Sequence, residues 1–206
     1  KKYKKEKQEK KIKQQSETQK KTTLSDNLTQ AKELLKQERY GAAEEKYLQV
    51  LSIEPHNIQA YLGLVKVYAG QKDFEHAKET YNYVLKLKPD SDLAFGGLGD
   101  LAMNQDDLEK AKANYKKSID LAKKNPEHYL DLAAVEYKLG NPGRALTSIR
   151  KASELEPKNP KYLDFLIEAA IVNNNKILAL DAFNKLKAIN PDNNKLDDLK
   201  KKIQEL

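Results

Sequence analysis

The segment NPEHYLDLAAVEYKLGNPGRALTSIRKASELEPKNP, residues 125–160, opens and closes on the same dipeptide, Asn-Pro, 34 positions apart. Its central alanine, Ala145, belongs to a series at the same interval: Ala43, Ala77, Ala111, Ala145 and Ala179, with no insertion or deletion between them. A fixed period of this length marks a stacked array, in which each unit buries its apolar face only against its neighbours.

Other residues keep the same phase. Proline follows the alanine by twelve positions at Pro55, Pro89, Pro157 and Pro191, with Lys123 in its place once. Two positions later stand Asn57, Ser91, Asn125, Asn159 and Asn193. Asn and Ser accept an orphan N–H of a first helical turn, and proline upstream cannot continue the preceding helix. One helix therefore ends and another begins within a few residues in every period. Pro126 and Pro160 occupy the first helical position, where the missing N–H costs nothing. Each period holds two apolar stretches at helical spacing, such as Tyr61, Leu64, Val65, Tyr68 and then Ala77, Tyr81, Val84, Leu87. Between them lies a turn such as Leu139-Gly140-Asn141-Pro142-Gly143. The unit is helix, turn, helix, with the alanine where helices cross closely and the aromatic one turn later filling the gap to the next unit.

In this phase Tyr129, Leu132, Ala133, Gly140, Ala145, Ala152 and Pro157, and likewise Tyr61, Tyr68, Ala77, Tyr81 and Pro89, resemble the tetratricopeptide repeat family. The resemblance implies an all-α fold, a right-handed superhelical solenoid of antiparallel helix pairs. It divides the chain into repeats 24–57, 58–91, 92–125, 126–159 and 160–193 and a capping helix 194–206, together the solenoid 23–206. In the cap, Leu196, Leu199, Ile203 and Leu206 fall on one face. The first repeat departs from the pattern at Asn27 and Gln30, as a solvent-facing end unit would, and the fourth has Glu136 where an aromatic is usual.

Composition sets bounds on function. Hydrophobic residues make up 39% of the 206, and there is no cysteine, so neither disulfides nor thiolate metal sites can form. No run of 18 or more apolar residues is present, so no stretch spans a membrane. The chain starts at Lys1 without an initiator methionine or a secretory apolar region, as expected of a fragment or processed form. The net charge of +7 lies wholly in residues 1–22, which hold ten Lys and three Glu; the remainder balances 28 basic against 28 acidic residues. This leader is expected to be a solvated helix or a linker. Its sharper role is a basic juxtamembrane segment attracted to anionic lipid, at about 1 kcal/mol per Lys near the surface. If a transmembrane helix preceded it, the Lys excess would place the solenoid in the cytoplasm, the expected compartment; an extracytoplasmic location is also compatible with the sequence. Arginine, favoured for bidentate phosphate recognition, occurs only three times, and the repeats carry no net basic stripe, which disfavours nucleic acid as partner.

The residues that carry chemistry do not assemble into a catalytic motif. His56, His76 and His128 share no i, i+4 face and are expected at the surface, with no metal site and no cofactor. Gly96-Gly97-Leu98-Gly99 lacks the Lys-Ser/Thr ending of a phosphate loop, and the period places it inside a helix. Asp106-Asp107 suits a helix N-terminus. The expectation is a non-enzymatic module.

In the family resembled, the first helices line a concave groove that receives partners. By phase, the groove candidates are Leu28, Lys32, Leu62, Lys66, Ala69, Leu93, Gly96, Asp100, Met103, Glu127, Leu130, Ala134, Tyr137 and Lys138, with Lys161, Asp164, Glu168, Ile171 and Val172 in the fifth repeat. An amphipathic helix or extended peptide of a protein partner is the expected occupant. The Lys/Asn/Arg clamp by which some such repeats hold acidic chaperone C-termini maps onto Leu28, Lys32, Gly63, Leu93 and Gly97, of which only Lys32 is basic, so that role is disfavoured. Two other associations are open: tethering to a membrane or nucleic acid through the leader, and homo-oligomerisation through a solenoid end or the convex face.

Overall fold

The computed structural model describes residues 2–206, with side chains from residue 8 onward. Among the described residues there are eleven helices and no strand: α1 Lys2–Lys36, α2 Tyr40–Ile53, α3 Ile58–Gly70, α4 Phe74–Leu87, α5 Asp92–Asn104, α6 Leu108–Leu121, α7 Pro126–Lys138, α8 Pro142–Leu155, α9 Pro160–Val172, α10 Lys176–Ile189 and α11 Leu196–Gln204. The helices fall into two compact units, one ending at Pro89 and the other running Asp90–Leu206. In the first, α1 packs on α2, α2 on α3 and α3 on α4. In the second, α5 to α11 pack successively in the same way.

The period is kept residue for residue. The second helices start at 40, 74, 108, 142 and 176, and the first helices α3, α5, α7 and α9 at 58, 92, 126 and 160. All five period alanines are fully buried, at 0% exposure, as a small residue at a close helix crossing is. Rings pack over glycines in the same way: a Cβ on Gly99 would lie 2.5 Å from the Tyr115 ring, and one on Gly63 would collide with Tyr47.

The helix starts follow from side-chain caps. Asn57, Ser91, Asn125 and Asn159 accept from Ala60, Ala94, Glu127 and Lys161 N–H, at 2.9, 3.3, 3.2 and 3.0 Å. Asp73, Asp107 and Asn175 cap the second helices α4, α6 and α10 in the same manner. One residue before each second-helix cap, the backbone turns left-handed: Glu38, Lys72, Asp106, Gly140 and Asn174, again 34 apart, have φ between 53° and 74°. Only Gly140 adopts that conformation without a steric penalty.

Of the two readings of the basic leader, helix or linker, the structure has a helix: α1 runs through leader and first repeat, and no Gly or Pro interrupts residues 1–40. Two expectations are corrected at the ends of the array. Asn27, expected to face solvent, is buried at 8% beside the core residues Leu28 and Ala31. Asn193 does not cap the last helix. It accepts from Lys195 N–H at 2.9 Å in a turn, and α11 begins at Leu196 with Leu199 and Ile203 buried, leaving Leu206 exposed.

Glu136, the departure from the pattern in the fourth repeat, is buried. It is 3% exposed, its Oε1 lies 2.9 Å from Lys112 Nζ on α6, and Asn141 Nδ2 donates to its Oε2 at 3.0 Å. Burial alone would raise its carboxyl, but the hydrogen bonds from Lys112 and Asn141 overcome it and hold the pKa below the usual carboxylate range. A folded-state pKa below the unfolded one stabilises above the unfolded pKa and loses that contribution as pH falls through the folded pKa.

Two outcomes follow. Ala111→Leu should cost about 1–3 kcal/mol by overpacking, whereas a surface alanine would accept leucine freely; thermal unfolding distinguishes them. Lys112→Met strands a buried carboxylate and should cost about 3–5 kcal/mol at neutral pH. That deficit should narrow in mildly acidic buffer as Glu136 becomes protonated, as read by unfolding at the two pH values.

Candidate interaction face

The sequence-derived groove residues divide between surface and core. In the first unit, Lys32, Lys66 and Ala69 are exposed and Leu62 is half-buried. Leu28 is not part of any surface: it is 8% exposed and belongs to the core with Ala31, Ala43, Tyr47 and Val50. The helix that carries it, α1, packs on both α2 and α3 and turns this residue inward.

In the second unit, Leu93 is 53% exposed and Tyr137 36%, and Asp100, Ala134 and Lys138 are also exposed. Met103 and Leu130 are half-buried and pack against core clusters. Gly96 is buried, and a Cβ there would make only ordinary contacts, 3.5 Å from Ser118 Oγ and 3.7 Å from His128 Cε1. Two apolar side chains at matching phases complete the face, Phe165 at 38% and Val172 at 58% exposure. Phe165 shares the phase of Gly97 and Asp131, a position that the pattern of apolar core residues alone does not single out.

Direct polar links between successive first helices hold this face. His128 on α7 is buried at 5%, contrary to its expected surface position, with Nε2 3.0 Å from Asp92 Oδ2 on α5 and Nδ1 3.9 Å from Asp131 Oδ2. The carboxylates of Asp131 and Asp92 raise the imidazole pKa against the opposing effect of burial. The protonated ring donates to Asp92, while the neutral ring can accept from Asn125 Nδ2, 3.0 Å away. Glu127 on α7 accepts from Lys161 Nζ at 2.9 Å and from the Tyr162 hydroxyl at 2.7 Å, both on α9. Asp164 on α9 lies 3.5 Å from Lys195, just before α11, and its second carboxylate oxygen is buried without a hydrogen-bond partner.

Within α5 and α6, the Tyr115 hydroxyl donates to Asp100 Oδ1 at 2.8 Å. Asp100 keeps open surface yet is crowded by surrounding atoms, as a group on the wall of a groove is. That crowding raises its carboxyl pKa; the Tyr115 hydrogen bond opposes the rise and neighbouring Asp131 adds to it. Burial, followed by Asp100, pushes the Tyr115 phenol up in turn.

Charge in this unit is segregated by helix. The first helices α5, α7 and α9 carry seven carboxylates and two lysines, a net −5, while the second helices α6, α8 and α10 carry ten basic and four acidic residues, a net +6. The chain-wide balance outside the leader conceals this alternation, since the two sets nearly cancel. In the first unit the pattern is absent: α3 has only Lys66, and α4 is balanced.

Among the described residues no group of three or more His, Cys, Asp and Glu could hold a metal ion, and no helix is long and apolar enough to cross a membrane.

The comparisons with known proteins concern the repeats. Tetratricopeptide repeat models match residues 34–101, 97–160 and 130–194. No curated protein matches the chain. Among solved structures, PilF of Pseudomonas aeruginosa is similar with a TM-score of 0.74 and 14% identity, over 90% of this chain and 85% of that one. A thermophilic tetratricopeptide repeat protein of Thermus thermophilus gives 0.64 and 18%, over 89% and 100%. YrrB, described as having an unusual peptide-binding site, gives 0.60 and 19%, over 85% and 90%. Matched models across most of the array, helix pairs at a strict 34-residue interval and buried alanines at each crossing together place this chain in the tetratricopeptide repeat family.

Proposed function

We propose that the chain is a non-enzymatic interaction module that scaffolds a multiprotein assembly, holding a peptide or helix of a protein partner on its first-helix face. The observation that carries this is the row of exposed apolar side chains on α5, α7 and α9, Leu93, Tyr137, Phe165 and Val172, on helices locked together by buried or half-buried polar links. Large apolar groups left on a rigid face lower the cost of docking, because the binding surface is ordered before the partner arrives. The family as a whole mediates protein–protein association and is generally non-catalytic, and YrrB offers a structural neighbour with a peptide site.

A tether through the basic leader is a second reading, favoured by one feature: every described side chain from Gln8 to Thr23 of α1 is exposed. Its target would be an anionic membrane surface.

Leu93→Asp with Tyr137→Asp should weaken capture of the partner recovered by cross-linking and mass spectrometry at least about tenfold, with helical circular dichroism retained. Leu130 is avoided in this test because it packs on the core. Undiminished capture would remove the face from consideration. For the leader, sedimentation with phosphatidylserine vesicles should fall steeply with added salt and weaken markedly when five of its ten lysines, Lys10, Lys11, Lys13, Lys20 and Lys21, are changed to Gln. Vesicle binding that is insensitive to both ends the tethering idea.

A further inference from the structure

On the interaction reading above, the chemistry of the face in the second unit restricts what can occupy it. The lysines of its first helices are already engaged, Lys161 by Glu127 at 2.9 Å and Lys138 by Asp106 at 3.4 Å. No lysine or arginine lies within salt-bridge distance of Asp100, Asp131 or Glu168 among the described residues, although Lys202 on α11, bound to Asp198 at 2.7 Å, interacts electrostatically with Glu168; Asp131 has the His128 imidazole at 3.9 Å, and Asp100 the Tyr115 hydroxyl. Asp100 stands seven positions after Leu93 on α5, and Glu168 stands three after Phe165 and four before Val172 on α9, spacings that put these carboxylates on the same helix faces as the exposed apolar side chains.

Like charges held on a rigid face repel until a cation reaches them, and a face of this sign rejects acidic or phosphorylated segments. The second helices of the same unit carry the opposite charge, so a cationic segment is steered to one side of the unit and away from the other.

We propose that the second unit recognises a cationic, apolar-anchored segment of a partner protein, its Lys or Arg groups meeting Asp100, Asp131 and Glu168 and its apolar groups meeting Leu93, Tyr137 and Phe165. The leader of a second copy has the charge for this site but not the anchors: residues 1–22 contain only Tyr3 and Ile12 as large apolar side chains. The occupant is therefore a segment that alternates the two chemistries, as an amphipathic helix does.

The test titrates the full chain with three labelled peptides and follows fluorescence anisotropy. The first, of about 15 residues, has leucine at i, i+3, i+4, i+7 spacing and lysine elsewhere. The second replaces its lysines by glutamine, and the third is this chain's residues 1–22. The lysine peptide is expected to bind at least about tenfold more tightly than the glutamine peptide, and Asp100→Asn, Asp131→Asn and Glu168→Gln together should abolish that preference. These replacements keep size and hydrogen bonding, and circular dichroism confirms the fold of the variant. Equal binding of the two leucine peptides, or a preference that survives the triple substitution, overturns the inference. The interaction face itself still stands if Leu93→Asp with Tyr137→Asp weakens both, and falls with the inference if that variant changes neither. Tightest binding by the 1–22 peptide overturns the partner assignment and makes a second copy the occupant.

Discussion

Everything in this molecule depends on how closely its helices cross. At Ala43, Ala77, Ala111, Ala145 and Ala179 no solvent reaches the side chain. Because the crossing recurs every 34 residues, each second helix starts at the same distance before its alanine, and each first helix at the same distance after it. The capping positions and the left-handed turn residues inherit that interval. Close packing leaves little freedom for any one unit to relax independently.

Local signals made most of this visible in the chain itself. Ala111 in phase with its four counterparts and Asn125 before Pro126 are features of the chain itself, and each specifies its own element. The continuous α1 was equally open to inspection, since no Gly or Pro stands before Gly41; a Lys- and Gln-rich composition reads as solvated, and that obscures how well those residues propagate a helix.

What the sequence concealed depends on partners brought together by folding. His128 meets Asp92 across 36 positions, and Glu136 meets Lys112 across 24, so neither pairing follows from one helix wheel. Leu28 has the phase of a groove residue but lies where α1 packs on the first core, so the fold buries it. Charge posed a different difficulty. Balanced totals hide an alternation of −5 and +6 between first and second helices, which appears only once each helix has its boundaries. The acidic, apolar-studded face is thus a property of the arrangement, whereas the Lys-rich leader announces itself by composition.

The central claim is that partners meet the second unit on α5, α7 and α9. Backbone amide shifts of the full chain, compared by nuclear magnetic resonance with and without the bound partner segment, address it most directly. The largest changes are expected on Leu93, Asp100, Asp131, Tyr137 and Phe165, with α6, α8 and α10 unmoved. Changes concentrated on the basic second helices, with the first helices silent, would contradict it.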